Sequence, residues 1–218
     1  MYQAVQKSER LRQHLGLGPE VRIALYQGNI QADRQLDRLV QAAAYLERDI
    51  VIVLMGEGFS ETTSQLEALA VKEGVTDRIK ILPPVPYTEL LDWTASADIG
   101  LIVYSPDHSL NVRMCLPNKL FEYLMAGLPV LASPLDAVSD LIRGYDVGQI
   151  VPSLSPAAVG AAINAMMADA AARERMRHNA LSAAQSDLCW EKERQQLITL
   201  YNRIMGMDDA AARGGNEQ

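Results

Sequence analysis

The residues with chemistry to offer are concentrated in one stretch, Leu116-Pro117-Asn118-Lys119-Leu120-Phe121-Glu122-Tyr123-Leu124-Met125-Ala126-Gly127-Leu128-Pro129-Val130-Leu131-Ala132-Ser133. Pro117 suits a first helical turn, where a missing N–H does no harm. Leu120, Phe121 and Leu124 fall at helical spacing and predict one apolar face. Gly127 predicts the helix stop, because a left-handed C-cap is cheap only for glycine. Pro129 then opens a short apolar run, Val130-Leu131-Ala132, of the kind that forms a buried strand. A polar loop therefore feeds into a helix N-terminus, whose free N–H groups and dipole favour an anion such as a phosphate. Glu122, about one turn further in and away from Phe121, is placed to accept hydrogen bonds from the hydroxyls of a sugar.

Other loops carry residues of the same kind. Gly28-Asn29, leaving an apolar run, lets the backbone approach a phosphate closely. Arg34, six residues after Gly28, either turns a bidentate cation into the same place or is a solvated helix charge. Gly56-Glu57-Gly58 lacks the third glycine of a dinucleotide fingerprint and follows the second apolar run rather than the first. Pro83-Pro84-Val85-Pro86 is accounted for by a plain turn. Asp107, His108, Asn111 and Arg113 read as polar surface-loop residues. His14, His108 and His178 are scattered, and neither a Ser-His-Asp arrangement nor metal-ligand spacing occurs, so no metal site is expected. Cys115 and Cys189 lie far apart and predict buried or free thiols in a reducing cytosol.

The run Glu122-Tyr123-Leu124-Met125-Ala126-Gly127-Leu128-Pro129-Val130 resembles the nucleotide-sugar-binding motif of the retaining GT-B glycosyltransferases of family four (group 1), found in their C-terminal, donor-binding domain. Trp190-Glu191, ahead of an apolar helix ending Leu200-Tyr201, is similar to that family's C-terminal Trp-Glu helix. The resemblance covers roughly residues 15–205.

The resemblance implies a role for each matching residue. Glu122 would hold the ribose hydroxyls of the donor nucleotide. Pro117, Asn118, Lys119 and Leu120 would form the phosphate-binding turn, Asn118 and Lys119 through their backbone N–H groups; the Lys119 side chain equally well faces solvent. Gly56 would lie in the turn near the nucleotide, and Val85 where the family's backbone reads the base. Arg34 takes the place of a family lysine, and Asn29 beside Gly28 the place of a family arginine. Met114 stands where the family has a second glutamate, eight residues upstream of Glu122, that contacts the transferred sugar.

The implied activity is transfer of a sugar, with retention and without a metal, from a UDP or GDP sugar to an acceptor, Arg34 and Glu122 taking part. The implied partners are that nucleotide-sugar donor and an acceptor domain, absent from these 218 residues, without which this domain transfers little sugar. Met114 also suits a non-catalytic sugar-nucleotide-binding module, and a nucleotide-sugar epimerase of the same architecture is a further alternative.

A scaffold must bring these loops to one edge. The chain has 49% hydrophobic but only 6% aromatic residues, so its core is built mostly from Leu, Ile, Val and Ala. A net charge of −7 argues against a broad nucleic-acid-binding face, though not against one local basic anion site. No apolar run approaches the ~20 residues that span a membrane, and no secretory signal is present, so a cytoplasmic domain without membrane contact is expected. Strands are predicted over 21–26, 50–55, 78–82, 98–103, 130–132 and 148–151, and helices between them. One of these helices runs from Arg34 to about Glu47, and a long loop from Tyr104 to Leu116. Such alternation predicts an α/β, doubly wound, parallel six-stranded Rossmann-like domain over 1–205, strand order 3-2-1-4-5-6, followed by a disordered tail over 206–218. Ligands bind such sheets at the carboxyl ends of the strands, near the point where the strand order reverses.

Overall fold

Six apolar runs become the strands of one sheet because each is too short for a helix and is bounded by turn residues. In the computed structural model, which describes residues 5–107 and 109–205, they are β1 (Arg22–Gln27), β2 (Ile50–Met55), β3 (Ile79–Leu82), β4 (Ile99–Ile102), β5 (Val130–Ala132) and β6 (Gly148–Ile150). All neighbours pair in parallel, in the order β3-β2-β1-β4-β5-β6, as the sequence predicts. β2 is buried along its whole length, which is why its six residues are all apolar.

The helices are α1 (Arg10–Leu15), α2 (Asp37–Ala42), α3 (Ser60–Lys72), α4 (Leu90–Thr94), α5 (Leu110–Met114), α6 (Asn118–Met125), α7 (Asp136–Tyr145), α8 (Pro156–Ala168), α9 (Ala170–Ser186) and α10 (Trp190–Ile204). α2 packs with α3 and α8, and α6 with α4 and α9. Ser155 caps α8 by accepting the Ala158 N–H at 3.3 Å, with Pro156 in the first position, as predicted. Gly127 stops α6 at φ +68°, the left-handed conformation expected of it. α10 buries none of its residues and exposes Trp190, Ile198 and Tyr201. No helix among the described residues is long and apolar enough to cross a membrane. The predicted tail over 206–218 and His108 lie outside the described residues.

Four local expectations are corrected. The helix predicted from Arg34 to Glu47 is broken: a 3-10 turn, Ala32–Arg34, ends at Gln35 with φ +53°, α2 follows, and a second 3-10 turn covers Ala43–Tyr45. The break lets Leu36 drop into the core while Arg34 stays beside the strand ends. The loop over 104–116 contains α5, capped by Ser109, whose hydroxyl accepts the Val112 N–H at 3.2 Å. Pro117 precedes α6 in an extended conformation rather than standing in its first turn. Finally, the core face of α6 is carried by Leu120, Tyr123 and Leu124; Phe121 is only partly buried.

Tyr123 explains how the sheet opens at its reversal point. β1 and β4 are in register only at Ala24–Ile99 and Leu25–Gly100. Beyond that the Tyr123 hydroxyl accepts the Gln27 N–H and donates to the Leu25 carbonyl, both at 3.0 Å. Gly100 leaves room for the ring, since a Cβ there would lie 2.5 Å from it. Tyr123→Phe strands the buried Gln27 N–H and is expected to destabilise the fold by about 1–2 kcal/mol, read as a lower urea midpoint at unchanged slope.

Candidate functional site

The carboxyl ends of β1, β2 and β4 surround a trough that starts from glycine geometry. Gly28 leaves β1 at φ +121° and donates its N–H to the Met55 carbonyl at 3.0 Å. Ile30 donates to the Glu57 carbonyl at 2.7 Å, so the two loops stay laced together past the strand ends. Tyr26 fixes the turn by donating its hydroxyl to the Asn29 carbonyl at 2.9 Å.

The trough has two chambers, each of about 250 Å³. One lies between the ends of β1 and β4 and is lined by Gly28, Arg34, Tyr104, Pro117, Asn118 and Lys119. The other lies above β2 and is lined by Met55, Gly56, Glu57, Pro84, Val85 and Leu90. Gln27, Gly28, Asn29 and Glu122 line both. The structure thus brings together every predicted site residue except Leu120. That side chain is wholly buried in the core and its N–H donates to the Pro117 carbonyl at 2.9 Å, so it does not line the trough.

Electrostatically the chambers differ. The first has the guanidinium of Arg34, 5.5 Å from the centre of the Tyr104 ring, and the start of α6, where Asn118 and Lys119 have no intrahelical acceptor for their N–H groups. It also holds the Lys119 side chain, which is mostly buried rather than extended into solvent: the residue is 8% exposed, and its Nζ borders the chamber 3.7 Å from the centre of the Tyr26 ring. Burial holds the Lys119 amine well below the usual lysine range; the nearby Arg34 charge pushes it the same way, and Glu122 pushes back. Burial also raises the Tyr26 and Tyr104 hydroxyls, so both rings stay neutral. The second chamber offers an apolar floor of Met55, Val85 and Leu90, suited to a flat ring.

Glu122 stands where the chambers meet. Its Oε2 accepts from Gln27 Nε2 at 2.6 Å, and Gln27 Oε1 in turn accepts from the buried Thr94 hydroxyl at 2.7 Å. The relay holds one carboxylate oxygen and leaves acceptor capacity for other donors. Neither Gln27 nor Thr94 was singled out from the sequence. The only signal was a polar residue directly after the run Ile23-Ala24-Leu25-Tyr26.

The residues around Met114 point elsewhere. Met114 is 56% exposed on α5, and Arg113 donates to Asp136 at 2.7 Å. Neither they nor Asp107 or Asn111 line the trough. The acids that do, among the described residues, are Glu122 and Glu57. No three His, Cys, Asp or Glu side chains among the described residues come together as metal ligands do.

Comparison with known proteins places this trough in context. The model of the glycosyl transferases, group 1, matches residues 7–183. A D-inositol 3-phosphate glycosyltransferase of Xylanimonas cellulosilytica is 28% identical over 193 residues, 88% of this chain and 44% of the relative. The chain thus spans about half the length of the curated relatives it matches. The crystal structure of Anabaena HepE in complex with UDP-glucose superposes with a TM-score of 0.77 at 17% identity, covering 89% of this chain and 52% of that one. The C-terminal domain of a group 1 glycosyl transferase (LpcC) from Francisella tularensis superposes with a TM-score of 0.68 at 17% identity, over 87% of this chain and 96% of that one.

Proposed function

Because the chain belongs to the group 1 glycosyl transferases, we propose that its trough holds the nucleoside diphosphate of a sugar donor, and that the protein transfers this sugar to an acceptor. The observation that carries the reading is the position of Glu122, between a cationic, amide-lined chamber and an apolar one. The base lies over Val85 and Leu90, the ribose hydroxyls donate to Glu122, and the diphosphate rests against the N–H groups of Asn118 and Lys119. HepE, crystallised with UDP-glucose, has the same fold, which favours a UDP or GDP sugar as donor.

In transfer, negative charge develops on the departing diphosphate. Donors fixed in advance on that position lower the barrier, which is the part this domain contributes. Arg34 supplies a bidentate fork, and the α6 N-terminus supplies aligned N–H groups and dipole. These groups do the work that a metal ion does elsewhere, and the reaction proceeds with retention. The acceptor is held by a second domain, so these 218 residues alone transfer little sugar. Two unpaired cysteines suit a cytosolic setting.

Titration calorimetry with UDP, GDP and ADP tests the reading. Saturable binding of one of them, competed by the matching nucleotide sugar, is expected; no heat with any at millimolar concentration removes it. The exposed Met114, with no acid in its place at the trough, favours one second reading: a module that binds nucleotide sugars without transferring them. Joining the chain to the acceptor domain of a group 1 relative separates the two, since only the first gives Glu122-dependent product.

A further inference from the structure

Lys119 is buried without a carboxylate to hold it. None of the ion pairs within 4 Å among the described residues includes it, and its Nζ donates no hydrogen bond. Instead it is caged by aromatic faces, 3.7 Å from the centre of Tyr26 and 5.2 Å from that of Tyr104. Removing an ammonium from water costs several kcal/mol, and cation–π contact returns only about 0.5–2 kcal/mol. Arg34, over the same Tyr104 ring, adds repulsion. Burial therefore disfavours the charged amine relative to water. A hydrophobic residue would fill this cage at lower cost, so the amine calls for an explanation from outside the fold.

Its position supplies one. A Cβ placed on Gly28 would lie 3.0 Å from Lys119 Nζ, so the amine sits directly against the turn at Gly28-Asn29. Asn29 brings no charge to that turn, and Arg34 is the other cation lining the chamber among the described residues. One guanidinium leaves a diphosphate under-compensated. We propose that Lys119 is a proton-loaded counterion: it takes a proton from solvent as the diphosphate enters the chamber, so that nucleotide binding is coupled to proton uptake. This rests on the nucleotide reading of the trough.

The groups facing the amine narrow the assignment. Tyr26 from β1 and Tyr104 after β4 are held neutral by burial. Arg34, on the 3-10 turn after β1, is the guanidinium of the chamber. Glu122 lies on the same helix, and Cys115 lies in the loop before it, lining the same chamber. Cys115 is the thiol lining this chamber, and Cys115→Ser controls for it.

The sign follows from linkage. The free protein holds fewer protons at Lys119 than the complex does. Affinity is therefore greatest below the free-site value and falls as pH rises above it, by at most tenfold per pH unit for one proton. Stability of the free protein moves the opposite way. Its folded form binds fewer protons than the unfolded chain, whose lysines titrate near 10.4, so stability increases with pH up to that value.

The test is calorimetry of UDP, GDP and ADP in buffers of different ionisation heat, from about pH 7 to about pH 9, above the terminal phosphate's own ionisation near 6. Uptake approaching one proton is expected somewhere in that range, retained in Cys115→Ser and absent in Lys119→Met. The Met variant should bind about tenfold more weakly yet melt at a higher temperature than the parent, a combination that a merely structural lysine does not produce. Binding without proton exchange at every pH, or uptake that survives in Lys119→Met, overturns the proposal while leaving the nucleotide reading intact. Absence of nucleotide heat at every pH overturns both. The parent protein alone decides the first of these outcomes, so a variant that fails to fold does not shield the idea.

Discussion

Adding one methyl group at Gly56 is expected to destabilise the protein by about 3 kcal/mol or more. A Cβ built there lies 1.9 Å from the Gly28 carbonyl oxygen and 2.7 Å from its carbon. Both atoms are backbone, and neither can swing away as a side chain does. Relief requires the turn after β1 to part from β2, which breaks the bonds from Gly28 to Met55 and from Ile30 to Glu57. The residue also sits at φ +157°, outside the range that side chains favour. Gly28→Ala is the informative contrast. Its Cβ meets only the tip of Lys119, at 3.0 Å, and that tip is flexible. Strain at φ +121° remains, so a loss of about 1–2 kcal/mol is expected there. Urea unfolding of both variants checks the order; equal midpoints would show that the two loops do not constrain each other as described.

The same two glycines show what the sequence makes legible and what it hides. A glycine after a strand announces a tight turn, so the loops at Gly28 and Gly56 could be placed. That the two turns touch each other follows only from the parallel pairing of β1 and β2. Strand order was legible because alternation of short apolar runs with helices leaves few topologies. The helix after β1 was misjudged because Leu36, Leu39 and Val40 keep helical spacing immediately after a left-handed Gln35, and periodicity counted from them does not register where the helix begins. α5 was missed because it is five residues long, too short for an apolar stripe to register. Tyr123 was passed over for Phe121 because spacing ranks a tyrosine below a phenylalanine on a core face. Its hydroxyl is satisfied by strand backbone, which spacing cannot see. Lys119 inverts the usual rule that lysines face solvent. The aromatic cage that buries it is assembled from β1 and the segment after β4, far away in sequence.

Glu122→Ala carries the second large expectation: nucleotide affinity falls by about thirtyfold or more while the fold holds. A hydrogen bond to a charged acceptor contributes about 1.5–3 kcal/mol, and 1.4 kcal/mol is a factor of ten in affinity. The fold holds because Glu122 is half-buried and its one side-chain partner, Gln27 Nε2, opens onto the trough and can be rehydrated when the carboxylate is gone. Calorimetry with the best-binding diphosphate measures the first effect and thermal melting the second. Gln27→Ala adds a test of the relay from Thr94. If Gln27 acts by aiming the carboxylate, its replacement weakens binding severalfold in the parent and not at all in Glu122→Ala, a coupling that independent contacts do not show. A full Gln27 effect in both backgrounds means that the amide touches the nucleotide itself. Unchanged affinity in Glu122→Ala removes the ribose from the junction, and the two chambers then have no common ligand to join them.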